Sequence, residues 1–249
     1  MRNIAIMLAF LFMTAASNAQ SDKKKENKKD GSASIFNGTD FTNWKVPAGD
    51  NGHWKIIDGV IDYDAESEAT GDKSLWTVKE YKDLVIRLEW RIKETPYKNP
   101  RVPLILPSGL HKLDENGKPI QMIVPDSDGG IYLRGNTKSQ VNIWCWPIGS
   151  GEVYGYRMDT SMTAEVRRGV TPKINADKNI GEWNTFQITL KGDRLTVELN
   201  GIIVIENAQL PGIPASGPIG LQHHGNKING EWTSPPSLMQ FRNISILEL

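Results

Sequence analysis

The chain has 249 residues with 29 basic and 29 acidic side chains, a single cysteine and 8 tryptophans. Residues 1–30 hold six basic and three acidic groups, which leaves 23 against 26 in the remainder. That slightly acidic balance argues against a nucleic-acid partner, which needs a clustered basic face, and the lone Cys145 excludes an intramolecular disulfide and a cysteine-based zinc site.

Residues 1–19 read as a secretory signal peptide. Arg2 is the charged start, residues 4–13 are apolar, and small Ser17 and Ala19 stand before Gln20. The expectation is export to the periplasm or the exterior, and no later stretch is apolar for long enough to suggest a membrane span. Residues 20–33 are lysine-rich and free of aromatics, which predicts a disordered linker. One domain is then expected over residues 34–249, long enough to bury a single sizeable core.

From Ile35 onward the apolar residues recur with period two. In "KDLVIRLEWRIK" (82–93), Leu84, Ile86, Leu88, Trp90 and Ile92 take one face, and Arg87, Glu89 and Arg91 the other. Residues 95–128 show little regular pattern and read as a long binding loop or lid. "GGIYLRG" (129–135) points Ile131 and Leu133 inward, so Tyr132 and Arg134 point outward. "SQVNIWCW" (139–146) likewise turns Gln140, Asn142, Trp144 and Trp146 out. "WNTFQITLKGDRLTVELNGIIVIEN" (183–207) predicts a three-strand meander, with Asn200-Gly201 as a type I′ hairpin turn. In "GPIGLQHHGNK" (217–227), Ile219 and Leu221 point in, which turns Gln222 and His224 out and His223 in. Many strands, Gly/Pro-rich connections and no long amphipathic helix predict an all-β fold, a two-sheet β-sandwich or jelly roll.

The order of "SIFNGTDFTNW", "WKIIDGVI", "LVIRLEWRI", "GGIYLRG", "GEWNTFQITLKGDRLTVELNG", "GPIGLQHHG" and "FRNISI" resembles the 3-keto-disaccharide hydrolase family over residues 34–249. The resemblance implies a concanavalin-like jelly roll acting on oxidised sugars, and its glycine-linked histidine matches His224. Many members carry an acid in the strand that here reads "SQVNIW", where Gln140 and Asn142 stand instead. The nearest following acid is Glu152 in "GSGEVYGYR".

A ketone at C3 of a sugar acidifies the hydrogen at C2. Its removal gives an enolate that expels the C1 substituent. The chemistry needs a base, a positive group for the enolate oxygen and an acid for the leaving group. His224 is the expected base, Glu152 the expected acid and Arg134 the expected enolate partner. Glu89, Arg91, Tyr132, Gln140, Asn142, Trp144, Trp146, Tyr156, Arg157 and Gln222 are expected to contact an oligosaccharide or glycoside substrate, with the tryptophans as stacking surfaces. His223 is expected to be a packed strand residue, and His53 and His111 surface residues. Enolate chemistry is compatible with a divalent metal, but no EF-hand or His-x-x-x-His spacing occurs, and Asp126 and Asp128 read as turn residues. The alternative is a non-catalytic carbohydrate-binding module, in which Gln140, Asn142 and Gln222 meet sugar hydroxyls and His224 and Glu152 have no chemical task.

Overall fold

The computed structural model describes residues 31–249, so the signal-peptide reading and nearly all of the linker reading lie outside the described residues. The last residue of that predicted linker, Ala33, is already paired with Ile246.

In chain order the first strands are β1 (Ala33–Ser34), β2 (Trp44–Lys45), β3 (Trp54–Ile57), β4 (Val60–Tyr63), β5 (Leu75–Tyr81) and β6 (Leu84–Ile92). A hairpin of β7 (Tyr97–Pro103) and β8 (Gln121–Asp126) follows, then β9 (Asp128–Leu133) and β10 (Asn136–Trp144). Two short helices, α1 (Tyr154–Arg157) and α2 (Ala164–Gly169), precede the meander of β11 (Asn184–Lys191), β12 (Arg194–Leu199) and β13 (Ile202–Gln209). The chain closes with β14 (Gly217–Leu221), β15 (Asn226–Ile228), β16 (Glu231–Ser234) and β17 (Met239–Glu248).

Two sheets result. One runs β13-β12-β11-β6-β17-β4-β3, with β1 also paired to β17; the other runs β10-β9-β14-β5-β2. All recorded pairings in them are antiparallel. The alternation in the sequence explains how they pack. Leu84, Ile86, Leu88, Trp90 and Ile92 of β6 are at most 4% exposed and meet Ile131, Leu133, Val141, Ile143, Ile219 and Leu221 of the smaller sheet in one core. Each such aliphatic side chain contributes about 1.5–3 kcal/mol by leaving water. The fold is the expected two-sheet β-sandwich of jelly-roll type. Asn200 and Gly201 have φ of 54° and 82°, as a type I′ turn requires.

Residues 95–128 depart from the loop expectation. They form the β7–β8 hairpin, extended by isolated bridges Ile105↔His111 and Leu113↔Pro119. Prolines at 96, 100, 103, 107, 119 and 125 interrupt the alternation, and most of the arm is solvated, so no period-two signal survives. The arm bends back onto α2 at Gly109. Its φ is +81°, and a Cβ there would stand 2.8 Å from both the Arg167 carbonyl oxygen and Thr171 Oγ1, so a side chain is doubly disfavoured.

Candidate active site

The outer face of the smaller sheet carries the polar side chains that the core excludes. Strand register puts Asp128 opposite Trp144, Gly130 opposite Asn142, and Tyr132 opposite both Gln140 and Gly220. Their neighbours Ile131, Val141 and Leu221 point into the core, so these residues face away from it. Gln140 Nε2 donates to the Gly129 carbonyl at 2.9 Å and to Gln222 Oε1. Trp76 of β5 stacks on Tyr132 with ring centroids 5.3 Å apart. Its indole lies over Gly220, where a Cβ would come within 2.7 Å of the ring. Glutamines, Tyr132 and Trp76 thus make a flat floor of hydrogen-bonding and aromatic groups.

His224 stands at the end of this floor. Its Nδ1 lies 2.6 Å from the Pro235 carbonyl oxygen. A carbonyl can only accept, so Nδ1 carries the hydrogen, and Nε2 of the neutral ring keeps a free lone pair. That Nε2 faces Asp128 Oδ2 at 3.9 Å. Residues 235–237 hold both partners. His224 N donates to Ser237 Oγ at 3.0 Å, Ser237 N donates to the His224 carbonyl at 2.9 Å, and Asp128 N reaches the Pro236 carbonyl at 3.3 Å. Burial raises the Asp128 carboxyl well above its ordinary value; His224 opposes the rise and Asp126 adds to it.

Glu152 approaches from the far side of β10. The 151–153 stretch runs along that strand, with Asn142 N donating to the Glu152 carbonyl and Gly151 N to the Asn142 carbonyl. Gly151 abuts Val204 and Val197, and Val153 sits in the core, so Glu152 turns to the outer face. There it is fully buried against Arg157 of α1, whose Nε donates to Glu152 Oε1. Burial pushes the Glu152 carboxyl up to about 7; Arg157 offsets this only in part, and the charge on Asp128 adds to the rise. Arg157 Nη1 also lies 3.3 Å from His111 Nε2 and 3.5 Å from the Gly109 carbonyl, both on the β7–β8 arm.

Four buried polar atoms of this cluster lack any hydrogen-bond partner: Asp128 Oδ1, Asn142 Oδ1, Glu152 Oε2 and Arg157 Nη2. Each such group costs about 1–3 kcal/mol when unpaired, which makes this face of the sheet the candidate for a functional site. Among the described residues, no group of three or more His, Cys, Asp or Glu side chains is placed to hold a metal ion.

A sequence profile of the 3-keto-alpha-glucoside-1,2-lyase-like domain matches residues 31–247. The chain belongs to this family. Two solved structures of candidate glycosyl hydrolases from Parabacteroides distasonis share the lyase-like fold. One is 20% identical, with a TM-score of 0.54 over 88% of this chain and 84% of its own. The other is 17% identical, with a TM-score of 0.53 over 88% of this chain and 94% of its own. No curated protein matches the chain. Family membership places this lyase-like domain among carbohydrate-active proteins, and no helix among the described residues is long and apolar enough to cross a membrane.

Of the residues expected to serve the lyase-like site, the structure brings His224, Glu152, Arg157, Asn142, Gln140, Gln222, Tyr132 and Trp144 to the outer face of one sheet. Others go elsewhere. Arg134 is buried, with Nε on the Lys82 carbonyl, Nη1 on the Gly192 and Pro214 carbonyls and Nη2 on Asp83 at 2.9 Å. It follows the end of β9 with φ of 52°, where strand alternation no longer applies, so it is a structural clamp and not an enolate partner. Tyr156 is buried in the core and donates to the Pro211 carbonyl. Glu89 and Arg91 lie on the outer face of the larger sheet, on the opposite side of the sandwich. There Glu89 pairs with Arg242, and Arg91 bonds Gln240 and packs over Trp183. Trp144 is buried, not an open stacking surface. It lies flat on half-buried Trp146 with centroids 4.0 Å apart, and its Nε1 donates to the Gly149 carbonyl.

Sequence reasoning passed over Asp128, Trp76 and His111. Asp128 read as a turn residue, although carrying the parity of Tyr132 two steps backward would have put it on the outer face. Trp76 and His111 carried no pattern of their own, and His111 is half-buried beside Arg157 instead of on the surface.

His223 turns to the other side of β14, where its Nδ1 meets the Tyr63 hydroxyl at 2.6 Å. Burial, then the charges of Lys73 and His224, lowers its pKa from 6.5 to about 4. The folded protein therefore favours the neutral ring, and its contribution is complete above pH 6.5 and fades as the pH falls towards 4. Urea unfolding of wild type minus His223→Gln should show a stability difference that shrinks over that window; a pH-independent difference would contradict this reading.

Proposed function

We propose that this protein is an exported enzyme that cleaves 3-keto-glycosides by proton abstraction at C2 and elimination at C1. The carrying observation is the imidazole of His224, committed through Nδ1 to the Pro235 carbonyl, with a free Nε2 facing Asp128 amid buried, unpartnered polar atoms. Export rests on the signal-peptide character of residues 1–19.

In this reading His224 Nε2 takes the C2 hydrogen. The C2–H electron pair forms the C2=C3 double bond, and the C3 oxygen becomes the enolate oxygen. Arg157, buried behind the outer face, supplies the positive charge for that oxygen through space. Asp128 stabilises the imidazolium as it forms. The enolate then collapses to the ketone, the C1–O bond breaks as C1=C2 forms, and Glu152, once the side chains that bury it shift, gives its proton to the departing oxygen. A carboxyl raised to about 7 is suited to that task near neutral pH. Water adding across C1=C2 completes a net hydrolysis. The Gln140, Gln222, Tyr132 and Trp76 floor orients the ring through its hydroxyls and one apolar face.

A chromogenic 3-keto-glucoside and its unoxidised parent separate this reading from a binding module and from an ordinary glycosidase. Release from the keto sugar alone is expected. Release from neither would favour the binding module, and equal release from both would refute a mechanism that depends on the ketone.

A further inference from the structure

The β7–β8 arm has a firm base and a nearly free tip. At the base Val102 and Pro103 are buried, and Asp126 accepts from Asn99 Nδ2 at 2.8 Å, from Trp146 Nε1 at 3.0 Å and from Cys145 N at 3.3 Å. Between Leu104 and Pro125 only Gly109 is buried. The tip is therefore held to the sandwich by very little, and elements with few buried contacts are the ones that open first. What holds it is a small cluster around Arg157. Arg157 Nη1 meets the Gly109 carbonyl at 3.5 Å and His111 Nε2 at 3.3 Å on the arm, and Met158 Sδ at 3.3 Å beside it. A guanidinium only donates, so His111 Nε2 must accept, and the ring that makes this contact is neutral.

We propose that the β7–β8 arm is a lid over the Glu152–Arg157 pair, latched by the neutral His111 ring and released when that ring gains a proton. Protonation puts a hydrogen on Nε2 and ends its capacity to accept from Arg157. The charges that bear on the ring are Arg157 of α1 and Arg167 of α2, both positive. Glu165 and Arg168 of α2 line the neighbouring cleft with Ser108 and Leu110, Lys112 follows His111 on the arm, and Glu152 lies beyond the guanidinium that it already pairs. An imidazolium at this place would thus face two arginines. On a free arm the ring keeps its ordinary value of 6.5; in the docked arm burial first, then the charges of Arg157 and Arg167, lowers it. Docking is therefore strongest above pH 6.5 and weakens as the pH falls through the lowered value. Glu152 is sealed behind Arg157, so opening of the arm frees one of the side chains that must shift before this acid can act. That role rests on the proposed reaction; the motion itself does not.

The test is a pulsed electron–electron distance measurement on the full chain. Spin labels go on Leu113→Cys in the arm and Lys191→Cys at the end of β11, both exposed, in a Cys145→Ser background. With His111 present, one closed distance is expected at about pH 8, and at about pH 5 a second, open population whose ratio to the first has risen severalfold. His111→Gln should hold the closed distance at both pH values, because its amide oxygen accepts from Arg157 and does not titrate. His111→Arg, charged throughout, should show the open population already at the higher pH. The proposal is overturned if the distances with His111 are the same at both pH values, if the pH-dependent change persists in His111→Gln, or if His111→Arg stays closed. The readout is a distance and not turnover, so failure of the lid and failure of the proposed reaction are told apart.

Discussion

His224→Gln lowers kcat on a 3-keto-glucoside by about 10²–10⁴-fold, the range associated with a positioned general base, while the protein melts close to wild type. Glutamine is the informative replacement. Its amide N–H can still donate to the Pro235 carbonyl that His224 Nδ1 engages at 2.6 Å, so the 235–237 loop keeps its anchor, but it has no lone pair of suitable basicity to take a proton. His224→Ala should show the same loss of turnover with a further loss of about 0.5–1.5 kcal/mol in stability for the missing hydrogen bond. Steady-state kinetics and thermal melts on both variants check this. Wild-type turnover in His224→Gln would remove the base from the mechanism, and loss of turnover that merely tracks loss of fold would reduce His224 to a loop anchor.

Arg157→Ala destabilises the protein by about 3–5 kcal/mol, because it leaves the Glu152 carboxyl fully buried and without its partner. Burial raises this carboxyl to about 7 even with Arg157 holding it down, so in the variant it rises further, protonation softens the penalty already at neutral pH, and the full loss is expected only at higher pH. The larger expectation concerns the double variant Glu152→Leu with Arg157→Met. Two apolar side chains remove both desolvation penalties and both unpartnered atoms, so stability returns to wild type or above it. Turnover does not return, because the acid and the cation for the enolate have both gone. Urea denaturation and turnover of the two variants measure the two effects separately. If the double variant remained as unstable as Arg157→Ala, the pair would be a structural element of the α1 junction. If it recovered turnover, the pair would have no part in the chemistry.

The sandwich was legible because a sheet with one face on a core writes itself as alternation. Ile131 and Leu133, Val141 and Ile143, and Ile219 and Leu221 gave the parity of three neighbouring strands, and the same parity distinguished outward His224 from His223. It failed wherever the backbone left the strand. Arg134 lies one residue beyond β9 in a left-handed conformation, and Tyr156 and Arg157 sit on a single helical turn that period-two reasoning cannot orient. Sheet membership was equally hidden. Glu89 and Arg91 do alternate outward as their strand predicts, but β6 pairs with β11 and β17, long-range partners that local sequence does not announce. The approach of Glu152 to Asp128 depends on the 151–153 stretch docking on β10, a contact set by tertiary packing.

The central claim is that the C2–H bond breaks, and a 3-keto-glucoside deuterated at C2 tests it most directly. Mass spectrometry of the released sugar after a brief reaction in ordinary water, corrected for an enzyme-free control, reports the fate of the label. The account predicts that the product has lost the C2 deuterium in step with release of the leaving group, with neither event above background in His224→Gln. Release of the leaving group with the deuterium still on C2 would contradict it, because the C1 bond would then have broken without an enolate.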